Sequence, residues 1–458
     1  MIYVVHVILT RVIELRVNHL LRRLTVKHSW LLLLQLVLAG LISGCAAGNG
    51  NSTHEIGSGE LVTNLATLRP LADQGNRDAQ FNLGKAYHIG LGVPKDYEKA
   101  LLWYRKAADQ GEANAQTNLG MMYANGQGVS RDYPQAALWL RKAADQSNAL
   151  ALTALGFLHE IGNGVPQDHR LAAQLYRKAA DLGYDNAQTN LGVLYHNGRG
   201  VTRDYREAAN WFRKAADQGE ANAQSNLAFL YDLGNRGEPQ DYGKAAFWYR
   251  KAADQGHPNA QTNLAFLYET GHGVPQDYRQ AEMWYRRAAN QGYANAQANL
   301  ASLHAQGLGL PQDLKLAFDW ARKAAEQGHP LAQGQLGYMY HMGLGVTQDY
   351  QRAIYWYRKA AAQGDPASQH NLKMLPPEIL RKYDTTIGME EITKTVVAIA
   401  ATVAFVSIFD FISRGSGTGT TRSNDGLRNT PGLDLVLDPY DGRHKTRYDL
   451  QTDKMNRD

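Results

Sequence analysis

Residues 187–222 read AQTNLGVLYHNGRGVTRDYREAANWFRKAADQGEAN, and this stretch decides the fold. The chain repeats the same pattern with a period of 36 residues, and only the fifth copy is longer, by one residue. The copies start at Ala79, Ala115, Ala151, Ala187, Ala223, Ala260, Ala296 and Ala332. A constant period in the range of 20–50 residues is typical of repeat proteins, in which each unit packs on the next.

Each copy predicts two helices joined by a short turn. In the first copy, the residues at helical spacing on one face are Ala79, Leu83, Ala86 and Tyr87. Gly90 and Gly92 follow and permit a turn with positive φ, and Asp96 is placed to cap the second helix. That helix again has one apolar stripe: Ala100, Trp103, Tyr104, Ala107 and Ala108. Gly111 ends it.

The consensus A-x-x-x-L-G-x-x-Y-x-x-G-x-G-V-x-x-D-Y-x-x-A-x-x-W-Y-x-K-A-A-x-x-G resembles the Sel-1-like repeat, a relative of the tetratricopeptide repeat, over residues 79–367. The resemblance implies an all-α fold, an α/α superhelical solenoid of tandem helix-turn-helix repeats. Because one hairpin cannot bury its own apolar face, neighbours must stack. Residues 59–78 are expected to form an N-terminal capping helix, and residues 368–383 a C-terminal partial repeat.

Solenoids of this class bind peptides or proteins on the concave side, which the first helices line. With the starting alanine as position 0, position 6 falls opposite the core face yet is mostly apolar. Its candidate contact residues are Met121, Phe157, Val193, Phe229, Phe266 and Tyr338. Either these side chains contact a partner, or an adjacent repeat buries them.

Two further positions of the first helix are candidates. Position 3 is asparagine in six copies: Asn82, Asn118, Asn190, Asn226, Asn263 and Asn299. These amides either bind the backbone of an extended peptide or satisfy a carbonyl in the neighbouring repeat, and the sequence favours the second. Position 9 varies in type between copies, which is expected both of a specificity position and of an unconstrained surface.

The N-terminal segment has the order of a signal peptide. Basic residues precede an apolar run of thirteen residues, 30–42, and Ser43 and Gly44 lead to Cys45, the sole cysteine. This end resembles the bacterial lipobox, which implies that residues 1–44 are cleaved and that Cys45 carries lipid. Residues 45–58 then form a flexible tether. With Ala46 next, the resemblance implies an outer-membrane protein facing the periplasm, and the long basic region predicts a true start near Val17 or Val26.

A second apolar stretch, residues 395–412, lies within a predicted helical segment, 384–412. It is short for a membrane span, so a buried or interfacial helix is favoured over a span in the inner membrane. The polar residues 413–458 predict a disordered tail.

The sequence argues against catalysis. It contains no phosphate-binding loop, nucleophile elbow or HExxH motif, and a single cysteine excludes thiolate metal sites. No cofactor, metal or small-molecule substrate is predicted, and mixed charges in the repeats argue against nucleic acid. We expect a non-enzymatic scaffold in the bacterial envelope that binds a protein or peptide partner. The alternatives are an inner-membrane regulatory adaptor held by residues 395–412 and, more weakly, a β-lactam-binding or cell-wall hydrolase.

Overall fold

The computed structural model describes residues 65–234 and 238–383, and within these ranges every regular element is helical. The helices are α1 (Leu65–Asp73), α2 (Arg77–Ile89), α3 (Tyr97–Asp109), α4 (Ala113–Asn125), α5 (Tyr133–Asp145), α6 (Ala149–Ile161), α7 (His169–Asp181), α8 (Asp185–Asn197), α9 (Tyr205–Asp217), α10 (Ala221–Leu233), α11 (Tyr242–Asp254), α12 (Pro258–Thr270), α13 (Tyr278–Asn290), α14 (Ala294–Gln306), α15 (Leu314–Glu326), α16 (Pro330–Met342), α17 (Tyr350–Ala362) and α18 (Pro366–Met374). A last helix covers residues 377–383. The predicted fold class, an all-α solenoid of tandem helix-turn-helix repeats, is confirmed.

The described residues belong to two compact units, and the division falls inside α10. The first unit holds residues 65–227 and 238–239, and the second holds residues 228–234 and 240–383. Consecutive helices pack on one another from α1 to α9 in the first unit and from α11 to α18 in the second, and the two helices of one repeat share the most extensive contact. The core of each unit is therefore a continuous series of helix pairs rather than a single centre.

Aspartate N-caps and glycines with positive φ form the turns between the helices. An aspartate caps each second helix by accepting a hydrogen bond from a backbone N–H two or three residues later, as Asp204 does from Arg206 and Glu207. The first helix of the fourth repeat ends at Gly198 in the left-handed region, with φ of 69°. Gly200 also has φ of 69°, and a Cβ there would lie 2.0 Å from the carbonyl oxygen of His169. Only glycine lets this loop lie against the preceding repeat.

One small residue is shared by all eight second helices and is fully buried. These alanines are Ala100, Ala136, Ala172, Ala208, Ala245, Ala281, Ala317 and Ala353. The tryptophan three residues later is buried in five repeats, which confirms its predicted packing role there. Trp248 and Trp356 are only half-buried, and each has an aromatic neighbour at the preceding position, Phe247 or Tyr355, in edge contact.

Several predictions concern residues outside the described ranges. The signal peptide of residues 1–44, Cys45 with its tether to residue 58, the apolar stretch 395–412 and the tail 413–458 all lie there. Across residues 65–234 and 238–383, none of the helices combines the length and the apolar character that a bilayer crossing requires.

Candidate partner-binding surface

Most of the apolar side chains at position 6 of the first helices are buried. Met121, Phe157, Val193 and Phe229 are only 3–4% exposed, so the interpretation that they face water is wrong for these four. They are buried within the chain, which is the alternative that the sequence left open. Binding of a partner at these positions would require the fold to move.

The same row becomes accessible toward the end of the second unit. Phe266 is half-buried, whereas Tyr338 is 46% exposed. The row continues into the partial repeat at the C-terminal end, because Met374 occupies position 6 of α18 and is 68% exposed. Met342, one turn after Tyr338 on α16, is 52% exposed. Three apolar side chains that the core does not use thus lie at the accessible end of the row.

The position 3 asparagines are buried or half-buried, and none is fully exposed. Asn190 and Asn226 are buried; the others are half-buried: Asn82, Asn118, Asn263 and Asn299. Asn190 lies beside the hydroxyl of Tyr176, and Asn263 beside that of Tyr249, while the buried Nδ2 of Asn190 has no hydrogen-bond partner among the described residues. At these two positions the neighbour is a side chain on the second helix of the preceding repeat. Binding of a peptide backbone by these asparagines stays a prediction.

The residue type at position 9 varies with the second-helix residue that it faces. The hydroxyl of Tyr176 donates to Glu160 at 2.9 Å, and that of Tyr285 donates to Glu269 at 2.9 Å. Asp232 meets Tyr249 in the same way at 3.4 Å. Where the second helix has no hydroxyl at this site, position 9 is alanine in two copies: Ala124 opposite Leu140 and Ala305 opposite Ala321. His196 opposite Phe212 is the exception. In seven of the eight copies, the residue at position 9 therefore matches the second-helix residue that it faces.

Burial sets the protonation of this pair. Desolvation raises the pKa of the Glu160 carboxyl, and the bond from Tyr176 and the charge of Arg199 oppose that rise. Burial and the neighbouring carboxylate together raise the pKa of Tyr176 well above its ordinary value. Both groups are buried in the core of the third repeat.

In most repeats a glutamine pair joins the start of the first helix to the end of the second. Gln188 donates to the carbonyl of Ala180 at 3.2 Å and accepts from Gln218 at 2.9 Å. The third repeat has leucine at both positions, Leu152 and Leu182. The two sites therefore change together. Leu182 is left 57% exposed.

Arginines of the second helices bond tyrosines of the following repeat. Arg105 donates to the hydroxyl of Tyr123, and Arg177 donates to that of Tyr195. The guanidinium of Arg177 also lies over the rings of Tyr195 and Trp211, 5.6 and 5.0 Å from their centroids. These contacts tie successive repeats together at their edges.

The histidines serve caps and core positions. His257 and His329 occupy the N-cap of their helices, and Nδ1 of each accepts from a backbone N–H at 3.2 Å. Burial lowers the pKa of both to about 4. Within the described part of the chain, no group of three potential metal-ligating side chains comes together.

Comparison with known proteins gives a consistent result. The Sel1 repeat model matches eight consecutive stretches: residues 77–112, 113–148, 149–184, 185–220, 221–257, 258–293, 294–329 and 330–365. No curated protein matches the chain. Among solved structures, a Sel1 repeat protein from Oxalobacter formigenes is 33% identical, with a TM-score of 0.51, over 73% of this chain and 100% of that one.

Two other solved structures are similar in sequence over different spans. A protective antigen present in uropathogenic Escherichia coli strains, displaying an SLR fold, is 30% identical over 85% of this chain and 99% of that one, with a TM-score of 0.41. An immunity protein from Pseudomonas aeruginosa is 23% identical over 48% of this chain and 82% of that one, with a TM-score of 0.34.

Proposed function

Since the chain belongs to the Sel1 repeat family, whose members generally mediate protein–protein interaction and are typically non-enzymatic, we propose that it is a scaffold that binds a protein or peptide partner. The observation that carries the proposal is the exposed end of the position 6 row. There, Tyr338, Met342 and Met374 present apolar surface that no described helix covers. Aromatic and methionine side chains are enriched at the centres of protein interfaces.

The proposal is tested by site-specific photo-crosslinking in cells. A photoreactive phenylalanine analogue at position 338 should give a discrete crosslinked protein, identified by mass spectrometry. The same analogue at position 357, where the native tyrosine is fully buried, should crosslink only within the chain. The proposal fails if position 338 gives no intermolecular product, or the same products as position 357.

A matched pair of variants then measures the contribution of the surface. Tyr338→Glu with Met374→Glu should abolish capture of the crosslinked partner without lowering the melting temperature, because both side chains are exposed. Leu182→Glu changes an equally exposed leucine outside the row and should leave capture intact. Full capture by the first variant would contradict the assignment of this surface.

We further propose that the protein is a lipoprotein of the bacterial envelope, anchored through Cys45 and facing the periplasm. The support is the order of charge, apolar run and small residues before the sole cysteine. Several acyl chains hold a protein on a membrane stably, whereas one chain alone binds marginally. The scaffold would then act near the membrane surface, where its partner is expected.

A further inference from the structure

An open cavity of about 660 Å³ lies in the first unit, where the loop of the fourth repeat meets the start of α7. Its lining residues are Arg170, Tyr195, Gly200, Val201 and Thr202. One arginine and two residues with hydroxyl groups therefore line the same opening as the loop residues Gly200 and Val201. None of these groups belongs to the position 6 row.

The loop is fixed against α7 rather than merely near it. At Gly200, a Cβ would lie 2.0 Å from the carbonyl oxygen of His169 and 2.7 Å from the backbone nitrogen of Arg170. At the end of the loop, the backbone N–H of Asp204 donates to the carbonyl of Tyr195 at 3.0 Å, which closes the loop onto α8. The lining residues are thus held by backbone contacts, so the opening belongs to the fold.

The surroundings of the cavity are cationic. Arg177 lies two turns after Arg170 on the same helix and donates to Tyr195, and Arg203 follows Thr202 in the loop. None of these three arginines makes an ion pair with a carboxylate in the described part of the chain. The charge of Arg199, by contrast, acts on the buried Glu160.

The carboxylates closest in sequence are already engaged. Asp168 accepts from the backbone N–H of Arg170 and Leu171, and Asp204 accepts from those of Arg206 and Glu207. Each is the N-cap of its helix. Arg170 and Arg203 are exposed and Arg177 is half-buried. The guanidinium of Arg203 lies over the ring of Tyr205, 5.6 Å from its centroid.

The other repeats show that the fold does not need these arginines. The residues equivalent to Arg170 are Glu98, Pro134, Arg206, Gly243, Arg279, Lys315 and Gln351. The residues equivalent to Arg203 are Lys95, Arg131, Gln167, Gln240, Gln276, Gln312 and Gln348. Taking each helix residue with the loop residue of the next repeat, only the junction of the third and fourth repeats places two cations together.

We propose that this cavity, hereafter the Arg170 cavity, binds a carboxylate from an acidic segment of the partner. The proposal rests on the scaffold function proposed above and adds the chemistry of the partner. Arginine suits this role because its planar fork donates two parallel hydrogen bonds to a carboxylate. The hydroxyls of Tyr195 and Thr202 supply further polar contacts at the same opening.

The test uses the full chain and a fluorescent acetyl-tetraglutamate amide, with a tetraglutamine amide as the uncharged probe. We expect the glutamate peptide to bind and to weaken at high salt, since exposed charges are screened. Arg170→Gln with Arg203→Gln should weaken binding at least fivefold. Both substitutions place a residue that the chain already uses at equivalent sites. Arg131→Gln with Arg279→Gln makes the same charge change at one loop site and one helix site in separate junctions, and should change binding less than twofold.

In the peptide titration, the proposal is overturned by equal loss in both double variants, by no loss in the first, or by binding of the glutamine probe as tightly as the glutamate probe. Competition by inorganic phosphate at lower concentration than acetate would assign the cavity to phosphate instead. The scaffold function is judged separately. If the Arg170→Gln, Arg203→Gln chain captures the position 338 partner as the wild type does, the acidic contact is wrong and the scaffold stands. If no partner is captured at position 338, the scaffold fails, and the peptide titration alone decides the cavity.

Discussion

The Tyr176 hydroxyl donates a 2.9 Å hydrogen bond to a carboxylate oxygen of Glu160, and the two side chains are 0% and 5% exposed. The bond joins the two helices of the third repeat within their shared core. Each group has little access to water, so each depends on the other. The same site in other repeats varies with its partner: alanine occurs at position 9 only where the second-helix residue has no hydroxyl, at Ala124 and Ala305.

Tyr176→Phe should destabilise the fold by about 1–3 kcal/mol, because it leaves a buried carboxyl without its donor. The double change Glu160→Ala, Tyr176→Leu copies the second repeat and should cost less than the sum of its single changes, with a coupling of about 1 kcal/mol. Urea denaturation of the wild type, the three single variants and the double variant measures both values. Tyr338→Phe is the exposed control and should stay within about 0.5 kcal/mol of wild type. Strict additivity would show that the two residues act independently.

The glutamine pair predicts a second coupling. Gln218→Leu removes the amide that Gln188 accepts from, at a cost of about 1 kcal/mol. Adding Gln188→Leu produces the pair that the third repeat already has, so the second change should cost less in this background than alone. Thermal melts of the single and double variants measure the difference. If Gln188→Leu costs as much in the Gln218→Leu background as in wild type, the two sites are not a pair.

The fold was predictable because its causes are local and repeated. A 36-residue period, two apolar faces, the aspartate caps and the turn glycines are each visible in one copy, and eight copies agree. The close-packed alanines, such as Ala208, were also predictable, since only a small residue recurs there. Because eight copies share the same local pattern, each copy supports the prediction made from the others.

The candidate site was less predictable, because burial at position 6 depends on packing beyond a single helix. A helical wheel places Phe157 opposite the core face, yet it is 4% exposed, while the equivalent Tyr338 is 46% exposed. No periodicity within one helix distinguishes these two. The pairing of Glu160 with Tyr176 is different: comparing the repeats column by column would have found it, since position 9 and the second-helix residue change together.

This contrast gives a direct prediction. Phe157→Glu should cost several kcal/mol or prevent folding, because it places a charge where the wild type has a buried ring. Tyr338→Glu should leave the free energy of unfolding within about 0.5 kcal/mol of wild type. Circular dichroism with urea titration compares the two at matched protein concentration. Similar stability of both variants would mean that position 6 is equally accessible in the two repeats.

Lipid attachment at Cys45 predicts a chemical label. Cells fed an alkyne-palmitate analogue should yield a labelled wild-type chain, and Cys45→Ser should remove the label while leaving an expressed protein. Membrane fractionation should follow: the variant is released to the soluble periplasmic fraction. Retention of the unlabelled variant in the inner membrane would instead favour anchoring by residues 395–412.

The two histidine caps predict sensitivity to mild acid. Nδ1 of His257 and of His329 accepts from the N–H of Ala260 and Ala332, and a protonated ring cannot accept. Desolvation holds their pKa at about 4, against about 6.5 in the unfolded chain. The folded state therefore binds fewer protons between these values. The contribution of the two neutral caps to the free energy of unfolding is fully present above pH 6.5 and is lost as the pH falls toward 4.

His257→Asn with His329→Asn should remove much of this acid sensitivity. Asparagine caps equivalent helices at Asn76 and Asn148, where the side-chain oxygen accepts at 2.8 and 3.0 Å and does not titrate in this range. Between pH 7.5 and pH 5, we expect wild type to lose about 1–2 kcal/mol per histidine, with the smaller share from the half-buried His329. The double variant should lose correspondingly less over the same interval, measured by urea midpoints at both pH values. The carboxyl of Glu160 acts in the opposite direction, because its raised pKa favours the folded state as the pH falls, and it is unchanged in both chains. Parallel losses in the two chains would show that other groups cause the acid response.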